Sequence, residues 1–449
     1  AAAWGLEAEG GARHAAARAC EAAGQWEAML GILQAGCQPG FPIDAITWSC
    51  ALRAARQGGQ PSLALAMLRE MRAMAAEVHA IACSVAISAC EKTGQWELAL
   101  DVLRGMKLWG PEPNVVTYSA VVSACEKGHH WEQALALLRE AQGEGLQLNA
   151  VSFNAAISAC EKGGQWQRAL GLLAEMREAR TEPGLVAFSA AAGACGRGLR
   201  WDWALALLAE LRLRRLAPDV ITCSAVISAC GQCERWQHAL LLLHGMGGEG
   251  VRANVVAYSA ALSAQERGGQ WERALALLRW MPQASLEPNV IACNAPITAC
   301  ERGAQWMWAL GLLQRMQLAP DAVSYNAAIS ACAHSEHWEI ALRLLREMRP
   351  AGITPGLITY NAALTACEKG GQGEKAEELF EEIKEMHLVP DIITYGAAIS
   401  ACARQGDWQR ALALLHELRL VGTAPSAAAC NAALAACRRA GRWAEALAA

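Results

Sequence analysis

"SACEKGGQWQRALGLLAEM", residues 158–176, is one of several near-copies in this chain. "SACEKTGQWELALDVLRGM" fills 88–106 and "SACEKGHHWEQALALLREA" fills 123–141. Aligned on their shared Ala-Cys pair, the copies place cysteines at 20, 90, 125, 160, 195, 230, 300, 332, 367, 402 and 437. The spacing is 35 residues or a multiple of it, except for 32 between Cys300 and Cys332. Ala55 and Gln265 stand where cysteines are expected. A tryptophan follows six residues after each cysteine position, from Trp26 to Trp443, except at Pro61 and Gly373. A fixed period of this length marks a repeat architecture. The frame is 10–44, 45–79, 80–114, 115–149, 150–184, 185–219, 220–254, 255–289, 290–321, 322–356, 357–391, 392–426 and a partial 427–449.

Inside a repeat, "VVTYSAVVSACEK" reads as one helix with its apolar positions on one side, and "GHH", "GGQ" or "TGQ" then stops it. "WEQALALLREA" places Trp131, Ala134, Leu135, Leu137 and Leu138 on one stripe of a second helix. Two short helices cannot bury their apolar faces alone, so the repeats are expected to stack into an all-α solenoid. The recurring Trp and Cys read most simply as packing residues. Equivalent cysteines in stacked hairpins fall about 10 Å apart, beyond the roughly 7 Å a disulfide spans. The 18 cysteines therefore point to a reducing compartment.

Composition agrees with a folded chain: 54% of the 449 residues are hydrophobic and 18% charged. Glu, Arg, Gln and Gly interrupt every Ala/Leu stretch before the roughly 18 residues that a membrane helix needs. The net charge of -4 carries no global sign of a polyanion partner, although the local field at a contact surface is what matters. The chain begins at Ala1 without Met and ends within "RWAEALAA". Both ends are expected to be cut, with 1–9 a remnant of an upstream segment and any targeting peptide further upstream.

The period, the helix pair and the frame "V-V-T-Y-S/N…E-K-G…A-L-x-L-L-x-E-M…P-N/D" resemble the pentatricopeptide repeat. "LITYNAALTACEKGGQGEKAEELFEEIKEMHLVPD", residues 357–391, is the clearest copy. The resemblance runs from about residue 10 to the end; the W-x-x-L-G-x-x-Y opening of the tetratricopeptide repeat is absent. It implies a right-handed α-solenoid superhelix that binds single-stranded RNA, one base per repeat, through the fifth and last residues of each repeat. It also implies organellar transcripts in chloroplast or mitochondrion as targets, with RNA-processing proteins as further partners. No cofactor, membrane or small-molecule substrate is expected.

Three columns carry the chemistry. The fifth position holds Ser49, Ser84, Ser119, Asn154, Ser189, Ser224, Ser259, Asn294, Asn326, Asn361 and Asn431, with His14 and Gly396 outside the set. A polar column within an apolar helix demands polar partners. The last position holds Asp44, His79, Asn114, Asn149, Gly184, Asp219, Asn254, Asn289, Asp321, Gly356, Asp391 and Ser426. Asn or Asp there is also ordinary N-cap or turn chemistry. Ionised Asp only accepts, which suits the ring N–H of guanine or uracil; Asn can donate to the bare ring nitrogen of adenine or cytosine. Short Ser leaves room for a purine and longer Asn suits a pyrimidine. From the 80–114 to the 357–391 repeat this gives 5′-AAYGAAUYU-3′, Y being either pyrimidine; polarity comes from the resemblance.

The second position holds Ile46, Ile81, Val116, Val151, Val186, Ile221, Val256, Ile291, Val323, Ile358 and Ile393. Such stiff apolar residues suit a sandwich around a base face or packing between adjacent first helices. Position thirteen carries Lys92, Lys127, Lys162, Arg197, Arg267, Arg302, Lys369, Arg404 and Arg439. The resemblance puts this site near the RNA backbone, where a regular stripe of cations would track phosphates. The competing reading is a pair with the preceding Glu, or a charge suited to a helix C-terminus.

No enzyme is expected. A zinc deaminase needs H-x-E followed by P-C-x-x-C. His334–Glu336 matches H-x-E, but Cys230–Cys233, the sole C-x-x-C, lies upstream of it and lacks the proline. "HSEH" at 334–337 is a weak zinc signal, and neither G-x-S-x-G nor a Walker P-loop occurs. The alternative to an RNA binder is a helical scaffold whose groove accepts a peptide.

Overall fold

The computed structural model describes residues 15, 17–20, 26–29, 31, 45–73, 79–248, 250–316, 318–420 and 425–442. The 1–9 segment, His14, Asp44 and Trp443 lie outside these, as does the side chain of Ile46. The described residues are helical and contain no strand. None of their helices is long and apolar enough to cross a membrane.

Helices alternate through two compact units, Ala1–Ala229 and Cys230–Ala449. In the first unit the pairs are Ala45–Gln57 with Pro61–Ala73, Ala80–Thr93 with Trp96–Trp109, and Val115–Lys127 with Trp131–Gly143; Ala150–Lys162 with Trp166–Glu178 and Leu185–Arg197 with Trp201–Leu213 follow. In the second unit they are Val255–Arg267 with Trp271–Gln283, Val290–Arg302 with Trp306–Arg315, and Ala322–His334 with Trp338–Met348; Leu357–Lys369 with Gly373–Glu385 and Ile392–Gln405 with Trp408–Leu420 come next, ending on Ala427–Arg439. Every one of these first helices begins on the first residue of its sequence repeat.

Local chemistry sets the ends. Asn149 has extended backbone, and its Oδ1 accepts the Ser152 N–H at 3.0 Å, so the repeat's last residue caps the next first helix. At the turn between helices, the fifteenth residue is left-handed, as at Gly164 (φ 67°) and Gly371 (φ 66°). The fourteenth, as at Gly163 and Gly370, is right-handed and small for another reason. A Cβ on Gly303 would come within 2.7 Å of Trp271 Cδ1, and one on Gly128 within 2.8 Å of Trp96 Cδ1. Each such Trp opens the second helix of one repeat and lies against the glycine of the next. Where Pro61 and Gly373 replace the Trp, Thr93 and Gln405 replace the glycine.

Within each unit a first helix packs on its own second helix and on the first helices of its neighbours. Small residues permit this: Ala124, Cys125, Ala159 and Cys160 are all fully buried. Burial pushes the Cys125 thiol up to about 12, so it stays protonated and inert. All cysteines among the described residues are free. Second helices contribute stripes such as Ala169, Leu172, Leu173 and Met176 to the core.

Backbones of successive second helices stay apart except at Pro61–Ala73 and Trp96–Trp109. Long ion pairs bridge several of the gaps. Lys107 reaches Glu140 and Glu144, Arg177 reaches Glu210 (2.6 Å), Arg349 reaches Glu382 (2.5 Å) and Lys384 reaches Glu417 (2.8 Å). In three of the four the buried tyrosine at the fourth position joins in: Tyr118 on Glu144 (2.8 Å), Tyr360 on Glu382 (3.1 Å) and Tyr395 on Glu417 (3.2 Å).

Candidate nucleic-acid interface

At 100° per residue, positions 2, 5, 9, 12 and 13 of a first helix share one side. That side faces away from the core. Ile81, Val116, Val151, Val186, Ile221, Val256, Ile291, Val323, Ile358 and Ile393 are 54–73% exposed. Packing between adjacent first helices, the competing reading of this column, is thereby excluded. A regular row of bare Ile and Val is costly in water without a ligand face to cover it.

The fifth residue lies one turn further along the same side and meets the last residue of its own repeat. Ser119 Oγ is 3.3 Å from Asn149 Oδ1, and Ser259 Oγ is 3.4 Å from Asn289 Oδ1. Asn294 Nδ2 donates to Asp321 Oδ1 at 3.0 Å, and Asn361 Nδ2 donates to Asp391 Oδ1 at 3.3 Å. In these four repeats, residues about 30 apart in sequence thus form one polar unit.

A third member was not singled out in the sequence: the hydroxyl at the third position of the following repeat. Ser324 donates to Asn294 Oδ1 at 2.5 Å and Thr394 to Asn361 Oδ1 at 2.7 Å, while the Ser152 hydroxyl sits 2.6 Å from that of Ser119. Ser152, Ser324 and Thr394 are fully buried, and they lock the fifth side chain from below. A recurring Ser or Thr beside the aromatic fourth residue was the available signal.

The N-cap reading of the last column is also realised, and the two roles use different atoms. The cap consumes Oδ1: Asn114 accepts from Thr117 N (3.0 Å), Asp219 from Thr222 N (2.8 Å), Asn254 from Ala257 N (3.0 Å), Asn289 from Ala292 N (2.8 Å) and Asp321 from Ser324 N (2.9 Å). Because a cap must accept, the amide oxygen is fixed there and the nitrogen turns outward. Nδ2 of Asn114, Asn149, Asn254 and Asn289 has no partner among the described residues, and neither has Oδ2 of Asp219 or Asp321. Each Asn therefore offers a donor and each Asp an acceptor. Burial raises the Asp321 carboxyl pKa, but the N–H and hydroxyl of Ser324 and the Asn294 amide outweigh it and hold the group below the usual carboxylate range. Asp391 is held low in the same way by Thr394 and Asn361.

Two repeats lack the partner. Gly184 and Gly356 follow Asn154 and Asn326, and Oδ1 of both asparagines is buried with no hydrogen bond. Ser84, Ser119, Ser189, Ser224 and Ser259 all donate to carbonyls of their own helix, at Ala80, Val115, Val186, Val220 and Val255, and of these only Ser119 and Ser259 also lie near the last residue of their repeat.

Family models decide what kind of repeat this is. One described as pentatricopeptide repeat domain matches residues 241–302, 312–370, 344–403 and 378–439; one described as pentatricopeptide repeat-containing protein matches 49–176; the PPR repeat model matches 221–251. The chain belongs to the pentatricopeptide repeat family.

The fold of a pentatricopeptide repeat protein is also what the structural comparison returns. The crystal structure of the pentatricopeptide repeat protein PPR10 from maize is 19% identical, with a TM-score of 0.60, over 97% of this chain and 72% of that one. PPR10 in complex with an 18-nt psaJ RNA element matches at 18% identity with a TM-score of 0.37, over 94% of this chain and 81% of that one. Yeast Rmd9p in complex with a 16-nt target RNA matches at 11% identity with a TM-score of 0.32, over 94% and 83%. No curated protein matches the chain.

The position-thirteen cations of this pentatricopeptide array reach back across the repeat boundary. Lys127 pairs with Glu91 (3.4 Å), Lys162 with Glu126 (3.3 Å), Arg197 with Glu161 (3.9 Å) and Arg404 with Glu368 (3.9 Å). Arg197 and Arg302 also donate to the carbonyls of Lys162 (3.2 Å) and Arg267 (2.8 Å), the C-terminal ends of the preceding first helices. The acid partner belongs to the previous repeat, not to the cation's own. Lys369 instead approaches His334 Nδ1 at 3.1 Å, and Lys92 and Arg267 are exposed. Among the described residues no group of three His, Cys, Asp or Glu is placed to hold a metal. His337 stacks on Trp306 with ring centroids 4.2 Å apart.

Proposed function

We propose that this chain binds single-stranded RNA, each repeat reading one base with its fifth and last side chains. The observation that carries the reading is the fifth side chain, buried or half-buried between the exposed second-position column and the last residue of its repeat. There each capping Asn keeps a donor, and Asp219 and Asp321 an acceptor, with no partner among the described residues. Adenine and cytosine have an unprotonated ring nitrogen and take the Asn donor; guanine and uracil have a ring N–H and take the Asp acceptor. Exposed Ile and Val at the second position supply apolar contact to base faces without sequence preference. The position-thirteen cations supply attraction to the phosphates.

Repeat by repeat the target is 5′-AAYGAAUYU-3′. Ser84 with Asn114 and Ser119 with Asn149 take A; Asn154 takes a pyrimidine; Ser189 with Asp219 takes G. Ser224 with Asn254 and Ser259 with Asn289 take A; Asn294 with Asp321 takes U, Asn326 a pyrimidine, and Asn361 with Asp391 takes U. Family membership supports an organellar transcript in chloroplast or mitochondrion as the ligand. The bound protein would then act on processing, stability or translation by covering the RNA or recruiting processing proteins.

The test is binding of the nonamer against a scrambled one at several salt concentrations. Sequence-dependent binding is expected; salt-steep binding blind to sequence would leave only the cationic stripe. Asn361→Ser is expected to move preference at the last core base from U toward G, with unchanged preference there counting against the assignment.

A further inference from the structure

The 290–321 repeat is three residues short of its neighbours, and the loss falls on its second helix. Its second helix, Trp306–Arg315, has 10 residues where Trp271–Gln283 has 13. Between these two helices lies a cleft of about 480 Å³, lined by Leu275, Leu278, Met307, Trp308 and Leu312, with Arg279 and Arg315 at its rim. Gly311 lies in its wall, and a Cβ there would meet nothing within 4 Å. Met307 is 65% exposed and Trp308 42%.

The ion-pair bridge found at other junctions is undone here. Its cation is replaced by Pro282, its tyrosine by Cys293, and its glutamate by Arg315. Neither Arg279 nor Arg315 makes an ion pair or hydrogen bond among the described residues, and both are exposed. The site is therefore apolar within and cationic at the edge, with Arg315 standing at the position where the ion-pair bridges carry a glutamate.

We propose that this cleft is a docking site for a short amphipathic helix of a partner protein, with Leu- or Phe-type side chains on one face and carboxylates flanking it. Its apolar face covers Leu275, Leu278, Met307 and Trp308, and its carboxylates take the place of the missing glutamate against Arg315 and Arg279. Only second-helix residues line the cleft, so it is independent of the first-helix face and of the RNA reading. Nucleic acid is the poorer fit, because two cations on a Leu, Met and Trp surface offer little to a phosphate chain.

The experiment measures fluorescence anisotropy of a labelled helical peptide, Leu at one-turn spacing with Glu on either side, against the whole chain. A version with Lys for Glu and an RNA oligonucleotide serve as competitors. The acidic peptide is expected to bind, with affinity falling about tenfold or more in an Arg279→Glu, Arg315→Glu double variant. Gly311→Leu fills the cleft without disturbing the helix and is expected to abolish binding while circular dichroism and thermal unfolding hold. Equal binding of the Lys peptide, displacement by RNA, or undiminished binding to Gly311→Leu would overturn the proposal. So would a concentration-dependent dimer that Gly311→Leu dissolves, which would assign the cleft to a second copy of the chain.

Discussion

At the scale of single residues, the informative positions are those where the pattern is incomplete. Asn326 has a buried Oδ1 with no hydrogen bond, and Gly356 supplies no side chain to accept from its amide nitrogen. Gly356 has an ordinary extended backbone (φ -96°), and a Cβ there meets nothing within 4 Å. Gly356→Asp is therefore expected to fold normally and to gain a few tenths of a kcal/mol, roughly the difference between Gly and Asp at an N-cap. It is further expected to turn an indifferent pyrimidine into a preference for U at the eighth core base, measured with nonamers differing only there. The opposite case is Asp321, whose carboxylate caps a helix and orients Asn294. Asp321→Ala is expected to cost about 1 kcal/mol at neutral pH, the usual value of such a cap. The Asp321 pKa lies below its unfolded value, so the carboxylate's contribution is present above about pH 4 and lost as pH falls through the folded pKa. Urea titrations of both proteins should converge toward acid; a difference that stays constant would show that charge is not the cause.

At the scale of the element, the turn between the helices uses its two glycines for different ends. Gly164 is left-handed, whereas Gly163 is small because the indole of Trp131 rests on it. Gly163→Ala forces methyl and indole together and is expected to lower stability by about 1–3 kcal/mol, the range for overpacking. Gly171, in the second helix of that same repeat, is exposed with open space around it. Gly171→Ala is expected to raise stability by about 0.5–1 kcal/mol, since only backbone entropy changes. Thermal melts of the two variants should shift in opposite directions; matching shifts would refute the Trp–Gly interlock.

At the scale of the whole molecule, a chain of net charge -4 presents a cation in most repeats on the first-helix side that carries the fifth-position column proposed to read bases. These cations already serve the fold through Glu91, Glu126, Glu161 and Glu368, yet Lys127, Arg197 and Arg404 stay exposed. A phosphate can share an exposed cation with its carboxylate, so the two roles are compatible. Lys127→Ala is expected to weaken RNA binding equally for matched and scrambled sequences. It should also flatten the dependence of log affinity on log salt by about 0.7, one phosphate contact on a single strand. A sequence-selective loss would instead place Lys127 among the base-reading groups.

Much of this was legible before any coordinates. Periodicity of 35, Gly breaks and apolar stripes fix helix identity and boundaries through local rules, so "VVTYSAVVSACEK" became Val115–Lys127 residue for residue. The polar columns and the Asn/Asp alternation could be read in the same way, because each repeat restates them. Partnerships across a repeat boundary could not. That Trp131 sits on Gly163, that Lys127 reaches back to Glu91, and that Asn361 is locked by Thr394 depend on how one hairpin lies on the next. Period alone leaves that offset open, because a hairpin's sequence says which face is buried and not which side chain of its neighbour will meet it. The cleft beside Trp308 belongs to the same class. Three absent residues are visible in the sequence, but whether the gap closes or stays open is settled only by the packing of the helices on either side.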